Sequence, residues 1–421
     1  MRVLAIHAYY QQFGGEDRMF AADTRLLERR GHVVERFTFD NAEVDGWSRL
    51  QQARNVVWNP EQVRRVRAAV ASFRPDVAHV QNFFPSLSPA ILRALSECGV
   101  PVVLRLPNYR LLCVNGTLFR DGGTCTSCVG KRLATSGIRH GCYRGSRLAS
   151  AGVAAMSGVH RFLGTWNRHV DAYLALDPNG RDLFVQGGLP EERIHVIPNH
   201  LETFPEPGTG DGGFAVFSGR LTEEKGLRVL IEAWARLERP VSLKIAGTGP
   251  LEDLVRGAAS RNPHIEYLGW TEKDELAKIV GRAALAIVPS QWAEPFGLVA
   301  LEATAAGTPA LVTRAGGLQN VVREGTSGWL VEPGDAAQLA AAVGRLFADP
   351  AQLKGMRAST RADAASRFSE DAVYASTLQV YRKVVSRQIR PRRAPNPDRL
   401  PTRPPGKPIG PRGETDTSRK D

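Results

Sequence analysis

Two short runs of this sequence carry residue types that could do chemistry. In the first, Ser218-Gly219-Arg220-Leu221-Thr222-Glu223-Glu224-Lys225-Gly226-Leu227, a β-branched apolar stretch gives way to helical periodicity. Arg220 and Lys225 therefore fall at a helix N-terminus, where free N–H groups and the positive end of the helix dipole favour an anion. A guanidinium with an ammonium suits a diphosphate; a solvated basic turn is the plain alternative. In the second run, Glu294-Pro295-Phe296-Gly297-Leu298-Val299-Ala300-Leu301-Glu302, a strand again leads into a helix. Glu294, in the loop, can accept hydrogen bonds from sugar hydroxyls, and Glu302, two turns into the helix, can accept both hydroxyls of a ribose. Gly297 lets backbone approach a phosphate. Acids at this interval are common on solvated helix faces, so the pair gains meaning from the cationic turn that accompanies it.

The elements that must position these residues follow from the alternation of short β-branched runs with amphipathic stretches, the pattern of parallel α/β sheets. Strands are predicted at Val3–Ile6, Val33–Phe39, Val77–Val80, Pro101–Leu104, Tyr173–Leu176 and His195–Ile197, making a first Rossmann-like domain over residues 1–201. A Pro/Gly-rich linker, 202–213, follows. The pattern restarts at Phe214–Phe217, Leu243–Ala246, Ile265–Leu268, Leu285–Val288 and Pro309–Val312, a second unit over 214–368. The helical stretch 369–388 is long enough to cross back onto the first domain. Two such units facing each other leave a cleft at the carboxyl ends of their strands.

With these motifs placed, the chain resembles the retaining family 4 glycosyltransferases of GT-B fold. The resemblance rests on G-R-L-x-x-E-K-G, on E-P-F-G-L-x-x-x-E and on Gly247-Thr248-Gly249-Pro250, and covers Met1 to Arg387. It implies that Arg220 and Lys225 bind the donor diphosphate, that Glu294 contacts the donor sugar and that Glu302 binds the ribose. Gly219, Gly247, Gly249, Phe296, Gly297 and Leu298 would complete the donor site. Gly14 and Gly15, with Asn108 and Arg110, would lie at the diphosphate and acceptor. The implied activity is hexosyl transfer, with retention, from a UDP-, GDP- or ADP-linked sugar to a glycan or lipid-linked acceptor. Close relatives often carry a His-Asn pair where this chain has Pro107-Asn108. Pro107 cannot perform histidine chemistry, and a nucleotide-sugar-binding or regulatory protein with impaired turnover is the alternative reading.

Transfer requires charge to grow on the departing diphosphate, and pre-aimed cations stabilise it without reorganising. No catalytic metal is expected, because the second domain lacks a D-x-D pair beside a strand end. A metal is expected elsewhere. Cys113, Cys125, Cys128 and Cys142, in a Gly-rich insertion spanning about 107–150, have spacing that suits a structural zinc site, with an iron–sulfur centre or with unliganded or redox thiols as alternatives.

The 55 Lys and Arg against 43 Asp and Glu give a net charge of +12, part of it in a Pro/Arg-rich stretch, 389–421, read as a disordered basic tail. Between Lys131 and His169 the chain interleaves Lys131, Arg132, Arg139, Arg144, Arg147, Arg161 and Arg168 with apolar residues. This is the pattern either of a helix lying on an anionic membrane or of a half-buried helix with a solvated basic side. No apolar run reaches the roughly 18 residues that cross a bilayer, and the N-terminus reads as a first strand. The expected location is cytoplasmic, with peripheral contact at the inner membrane face and no nucleic-acid partner.

Overall fold

A computed structural model describes residues 1–11 and 14–389; the expected basic tail lies outside the described residues apart from its first position. The strands are β1 (Arg2–Tyr9), β2 (Val33–Asp40), β3 (Val77–Asn82), β4 (Val102–Leu106), β5 (Phe119–Arg120), β6 (Gly123–Thr124), β7 (Ala172–Ala175), β8 (Ile194–Val196), β9 (Phe214–Ser218), β10 (Ser242–Ala246), β11 (Ile265–Gly269), β12 (Leu285–Val288), β13 (Ala310–Thr313) and β14 (Gly328–Val331). The helices that matter to the site are α1 (Gly15–Arg29), α2 (Arg49–Val57), α3 (Arg147–Phe162), α4 (Pro178–Gln186), α5 (Leu227–Ala235), α6 (Leu298–Ala305) and α7 (Glu370–Ile389).

Two six-stranded sheets result, in the orders β2-β1-β3-β4-β7-β8 and β11-β10-β9-β12-β13-β14. Every pairing within them is parallel. Central strands such as β3, β4 and β12 are buried along their whole length; β12 accordingly reads as a continuous apolar run, while β3 and β4 also bury His79, Gln81, Asn82 and Arg105. In each sheet the strand order reverses once, between β1 and β3 in the first and between β9 and β12 in the second. These are the topological switch points where an open α/β sheet leaves a crevice beyond its strand ends.

Two elements escaped the sequence reading. The edge strand β14 is four residues long and opens on a glycine, too short to carry a period. The hairpin β5–β6 sits inside the cysteine-bearing insertion, paired through Phe119–Thr124 and Arg120–Gly123. The crossover helix α7 lays Val373, Val380, Tyr381 and Val384 on one face, at helical spacing, against Val3, Val77, Val103 and Leu174 of the first sheet. The hydroxyl of Tyr381, on a residue with no exposed surface, lies 2.6 Å from Nδ1 of His79 in β3. Among the described residues no helix is long and apolar enough to cross a membrane.

Candidate active site

The first-domain wall of the cleft is set by Asp17, fully buried in the first turn of α1. Its Oδ1 is 2.8 Å from His7 Nε2 at the middle of β1 and accepts the Tyr10 N–H at 3.3 Å. Its Oδ2 accepts the Gly14 N–H at 2.8 Å. This carboxylate fixes where the chain leaves β1 and how Gly14 and Gly15 open α1. Beside it, Glu16 accepts the Tyr10 hydroxyl at 2.9 Å and the Asn108 amide at 2.9 and 3.2 Å. Burial raises the Glu16 carboxyl above its ordinary range, while the bonds from Asn108 and Tyr10 act against that shift.

The second-domain wall comes from the loops after β9, β10 and β12. Gly247 sits at φ +133°, and a Cβ there would stand 1.9 Å from the Gly219 carbonyl oxygen. Only glycine lets the β9 and β10 loops lie this close. Lys225, in the turn before α5, donates to both oxygens of Glu294 at 3.0 and 2.9 Å. Glu294 also accepts Ser290 Oγ at 3.0 Å and Trp292 Nε1 at 2.8 Å, and the Lys225 ammonium lies 5.2 Å from the Trp292 ring centroid. A nearly buried carboxylate is stable there because it receives this set of donors.

Helix α6 begins at Gly297, whose φ of +105° and missing Cβ are both required, since a methyl would meet Leu318 Cδ2 at 2.4 Å. Glu302 is the one charged residue on this otherwise apolar helix, so it must turn from the core. It points across the cleft and meets Arg18 of α1 at 3.1 Å. The helices come together at the same place: a Cβ on Gly15 would lie 3.1 Å from Leu298 Cδ1. Two helix N-termini thus converge on the groove, adding positive potential to that of Lys225.

A second bridge between domains lies beside the Glu294 loop. Asn179 Nδ2 donates to the Gly316 carbonyl at 3.0 Å, and Asn320 Nδ2 donates to Asp177 Oδ1 at 3.2 Å. Asp177 also caps α4 through the N–H groups of Asn179 and Gly180. Burial pushes its carboxyl up to about 6 even so.

Not all expected residues face the groove in the same way. Gly219, Lys225, Gly247, Gly249, Glu294, Gly297 and Glu302 gather at the carboxyl ends of β9, β10 and β12, with Gly14, Gly15 and Asn108 opposite. Arg220 belongs to the same turn, but its side chain is 69% exposed and its nearest carboxylate is Glu224 at 3.5 Å. The Phe296 ring is buried against Phe368, 5.5 Å between centroids, so only its backbone is offered to the groove. Arg110 stacks over Phe84 at 4.4 Å and Tyr143 at 5.3 Å and donates to the Val114 carbonyl, which makes it a brace of the insertion. Arg18, Tyr10, Glu16, Trp292 and Asp177 were not found from sequence. Trp292 alone had a readable signal, two positions before Glu294.

The four cysteines of the insertion form a separate group. Among the described residues no group of three or more His, Cys, Asp or Glu side chains is arranged to hold a metal ion. Cys113, Cys125, Cys128 and Cys142 nevertheless share one region. Burial raises the Cys128 thiol, and the charges of Cys113, Cys142 and Cys125 raise it further. The Cys125 thiol, by contrast, is held below its ordinary value against the effect of burial by bonds from the Ser127 side chain and N–H.

Comparison with known proteins bears on the whole arrangement. Residues 14–200 match the model described as "Glycosyl transferase 4-like domain" and residues 202–364 the one described as "Glycosyl transferases group 1". A glycogen synthase of Mycobacterium tuberculosis is 38% identical over 194 residues, 44% of this chain and 46% of that protein. The MMP alpha-(1->4)-mannosyltransferase of Mycolicibacterium hassiacum is 33% identical over 216 residues, 49% and 52% of the two chains. The chain thus spans about half the length of these curated relatives. The sucrose-phosphate synthase of Thermosynechococcus elongatus superposes with a TM-score of 0.68 over 92% of this chain and 99% of that one. Anabaena HepE in complex with UDP-glucose superposes with a TM-score of 0.63 over 92% and 100%. Both are 19% identical to this chain, so the likeness is one of fold. The paired domain matches, the two switch-point sheets and the helix that returns to the first domain place this chain in the family 4 glycosyltransferases of GT-B fold.

Proposed function

We propose that the protein transfers a hexosyl group from a nucleotide sugar to a glycan or lipid-linked acceptor, with retention and without a catalytic metal. The observation that carries this reading is the Lys225–Glu294 pair at the second switch point, on the same wall as Glu302, which pairs with Arg18 of the first domain. In the proposed reaction Lys225, Arg220 and the N–H groups opening α6 and α1 stabilise charge gathering on the leaving diphosphate. Glu294 orients the sugar hydroxyls and Glu302 the ribose. HepE, of like fold, was solved with UDP-glucose, which makes a UDP-sugar the first donor to try. Thermal stabilisation by UDP-, GDP- and ADP-sugars, followed by donor turnover in the parent and in Glu294→Ala, tests the proposal. Stabilisation with no turnover above background would favour the second reading, a nucleotide-sugar-binding protein. That reading is supported by Pro107 and by an Asn108 amide already engaged by Glu16 and Tyr10.

The cysteine loop is proposed as a structural zinc site, supported by the Cys125-x-x-Cys128 spacing and by the closeness of Cys113, Cys142 and Cys125 to Cys128. Metal analysis of the purified protein should give close to one zinc per chain. A value near zero, with the four thiols freely titratable, removes the proposal.

A further inference from the structure

Helix α3 buries one face and leaves an apolar stripe on the other. Val153, Ala154, Met156 and His160 are inside, while Leu148 is 76% exposed, Val159 40% and Phe162 90%. Residues 11 and 14 positions beyond Leu148 return to nearly the same side after three and four turns, so these three side chains share one line roughly 20 Å long, with Gly152 and Ala155 between them. Leu133, 46% exposed, adjoins that line, since a Cβ on Gly158 would stand 3.2 Å from Leu133 Cδ1. Of the eight large apolar side chains exposed among the described residues, these four fall within one short segment.

The charge of the segment that carries the stripe has one sign. From Gly122 to Val170 the sequence contains seven Lys or Arg and no Asp or Glu. Elsewhere on the surface arginines such as Arg25, Arg29, Arg36, Arg67 and Arg93 each pair with a carboxylate. Among the described residues none of the seven in this segment makes such a pair. A segment that combines cations without carboxylate partners and exposed Leu, Val and Phe is complementary to something both anionic and apolar at its boundary.

We propose that the outer face of α3, with the adjoining Lys131–Leu133 turn, docks on an anionic lipid bilayer. A second copy, or the chain's own basic stretch beyond residue 389, carries the same sign and would be repelled. Nucleic acid would satisfy the cations but leave the apolar stripe in water. In this geometry Leu148 and Phe162 enter the boundary between head groups and acyl chains while the cations meet lipid phosphates. The insertion that begins at Asn108 on the cleft wall leads directly into α3, and in this proposal the contact holds the domain that carries that wall at the membrane surface. In that respect it deepens the proposed function by favouring a lipid-linked over a free glycan acceptor, but the contact itself does not depend on turnover.

The test is co-sedimentation of the full chain with vesicles of phosphatidylcholine alone and of phosphatidylcholine mixed with phosphatidylglycerol, at low and high salt. Binding is expected to the mixed vesicles at low salt, weakened at high salt, and at least about tenfold weaker in Leu148→Ser/Phe162→Ser. Arg144→Glu/Arg147→Glu should abolish the preference for the anionic lipid. All four positions are exposed, and unchanged melting temperatures confirm that the variants fold. No binding to the mixed vesicles at low salt overturns the proposal, as does equal binding by the Ser variant, or retention on duplex DNA but not on vesicles. Donor turnover measured in parallel separates the readings: vesicle binding without turnover leaves this contact standing and removes the transferase, and turnover without binding does the reverse.

Discussion

Lys225 Nζ stands 3.0 and 2.9 Å from the two oxygens of Glu294, although 69 positions separate them in sequence and their loops leave different strands. The ammonium is thus anchored by an acid that is itself held by Ser290 and Trp292, and so reaches the groove in a fixed position. Lys225→Ala should lower kcat/KM by about 10²–10³, the scale for one preorganised electrostatic group. It should also cost about 2 kcal/mol of stability, between the values for surface and buried pairs, because Glu294 keeps its burial and loses its counter-charge. Steady-state kinetics and thermal melts read both. Wild-type turnover in Lys225→Ala would remove the lysine from the mechanism.

Arg18 and Glu302 form a weaker, more exposed pair across the groove, 3.1 Å apart with side chains 40% and 33% exposed. If Glu302 is the ribose acceptor, the nucleotide must compete with Arg18 for it. Arg18→Ala should therefore tighten nucleoside diphosphate binding up to about fivefold, the range of an exposed ion pair, whereas Glu302→Ala should weaken it. Calorimetric titration decides the matter, and loss of affinity in Arg18→Ala would show that the arginine contacts the ligand instead.

What the sequence made legible was local. The strand–loop–helix contexts of Lys225, Glu294 and Gly297 lie within a few residues of each motif, and the apolar runs of β1, β9 and β12 mark themselves because both faces are buried. What it hid was tertiary. Nothing near Arg18 says that it will meet Glu302, and nothing in Phe296 or Arg110 says that their side chains turn toward Phe368 and Phe84. Residue type suggested ligands there, and packing took the rings and the guanidinium elsewhere.

His79 ties α7 to the first sheet through Tyr381. Burial is the main reason its imidazole is lowered from 6.5 to about 4, with Asp23 opposing and Arg105 reinforcing that shift. Between those two values the unfolded chain binds a proton that the native state does not. Stability is therefore lost as pH falls from about 6.5 to 4, by about 3 kcal/mol in all. His79→Gln should flatten this part of the melting-temperature profile, and Tyr381→Phe should destabilise by about 1–2 kcal/mol at neutral pH by leaving Nδ1 without its hydrogen-bond partner. A parent profile with the same slope as His79→Gln would exclude the histidine as its source.

Asp177 acts in the opposite sense over the overlapping range, so its contribution must be read as a difference between variant and parent. Its carboxyl is raised from 3.8 to about 6, chiefly by burial, while the bonds from Asn179, Gly180 and Asn320 pull the other way. Between those values the native state holds the extra proton, and stability falls as pH rises through the window, reaching a deficit of about 3 kcal/mol above pH 6. Asp177→Asn keeps the cap on α4 and the shape at the Asn320 bridge but removes the charge; one acceptor is lost to the new amide, at about 1 kcal/mol. The variant should melt higher than the parent at pH 8, by a net of about 2 kcal/mol. It should match the parent or fall below it at pH 4, where the native carboxyl is already protonated. A pH-independent difference would mean that the ionised carboxylate carries no burial cost, and that the bonds across the domain bridge fully offset it.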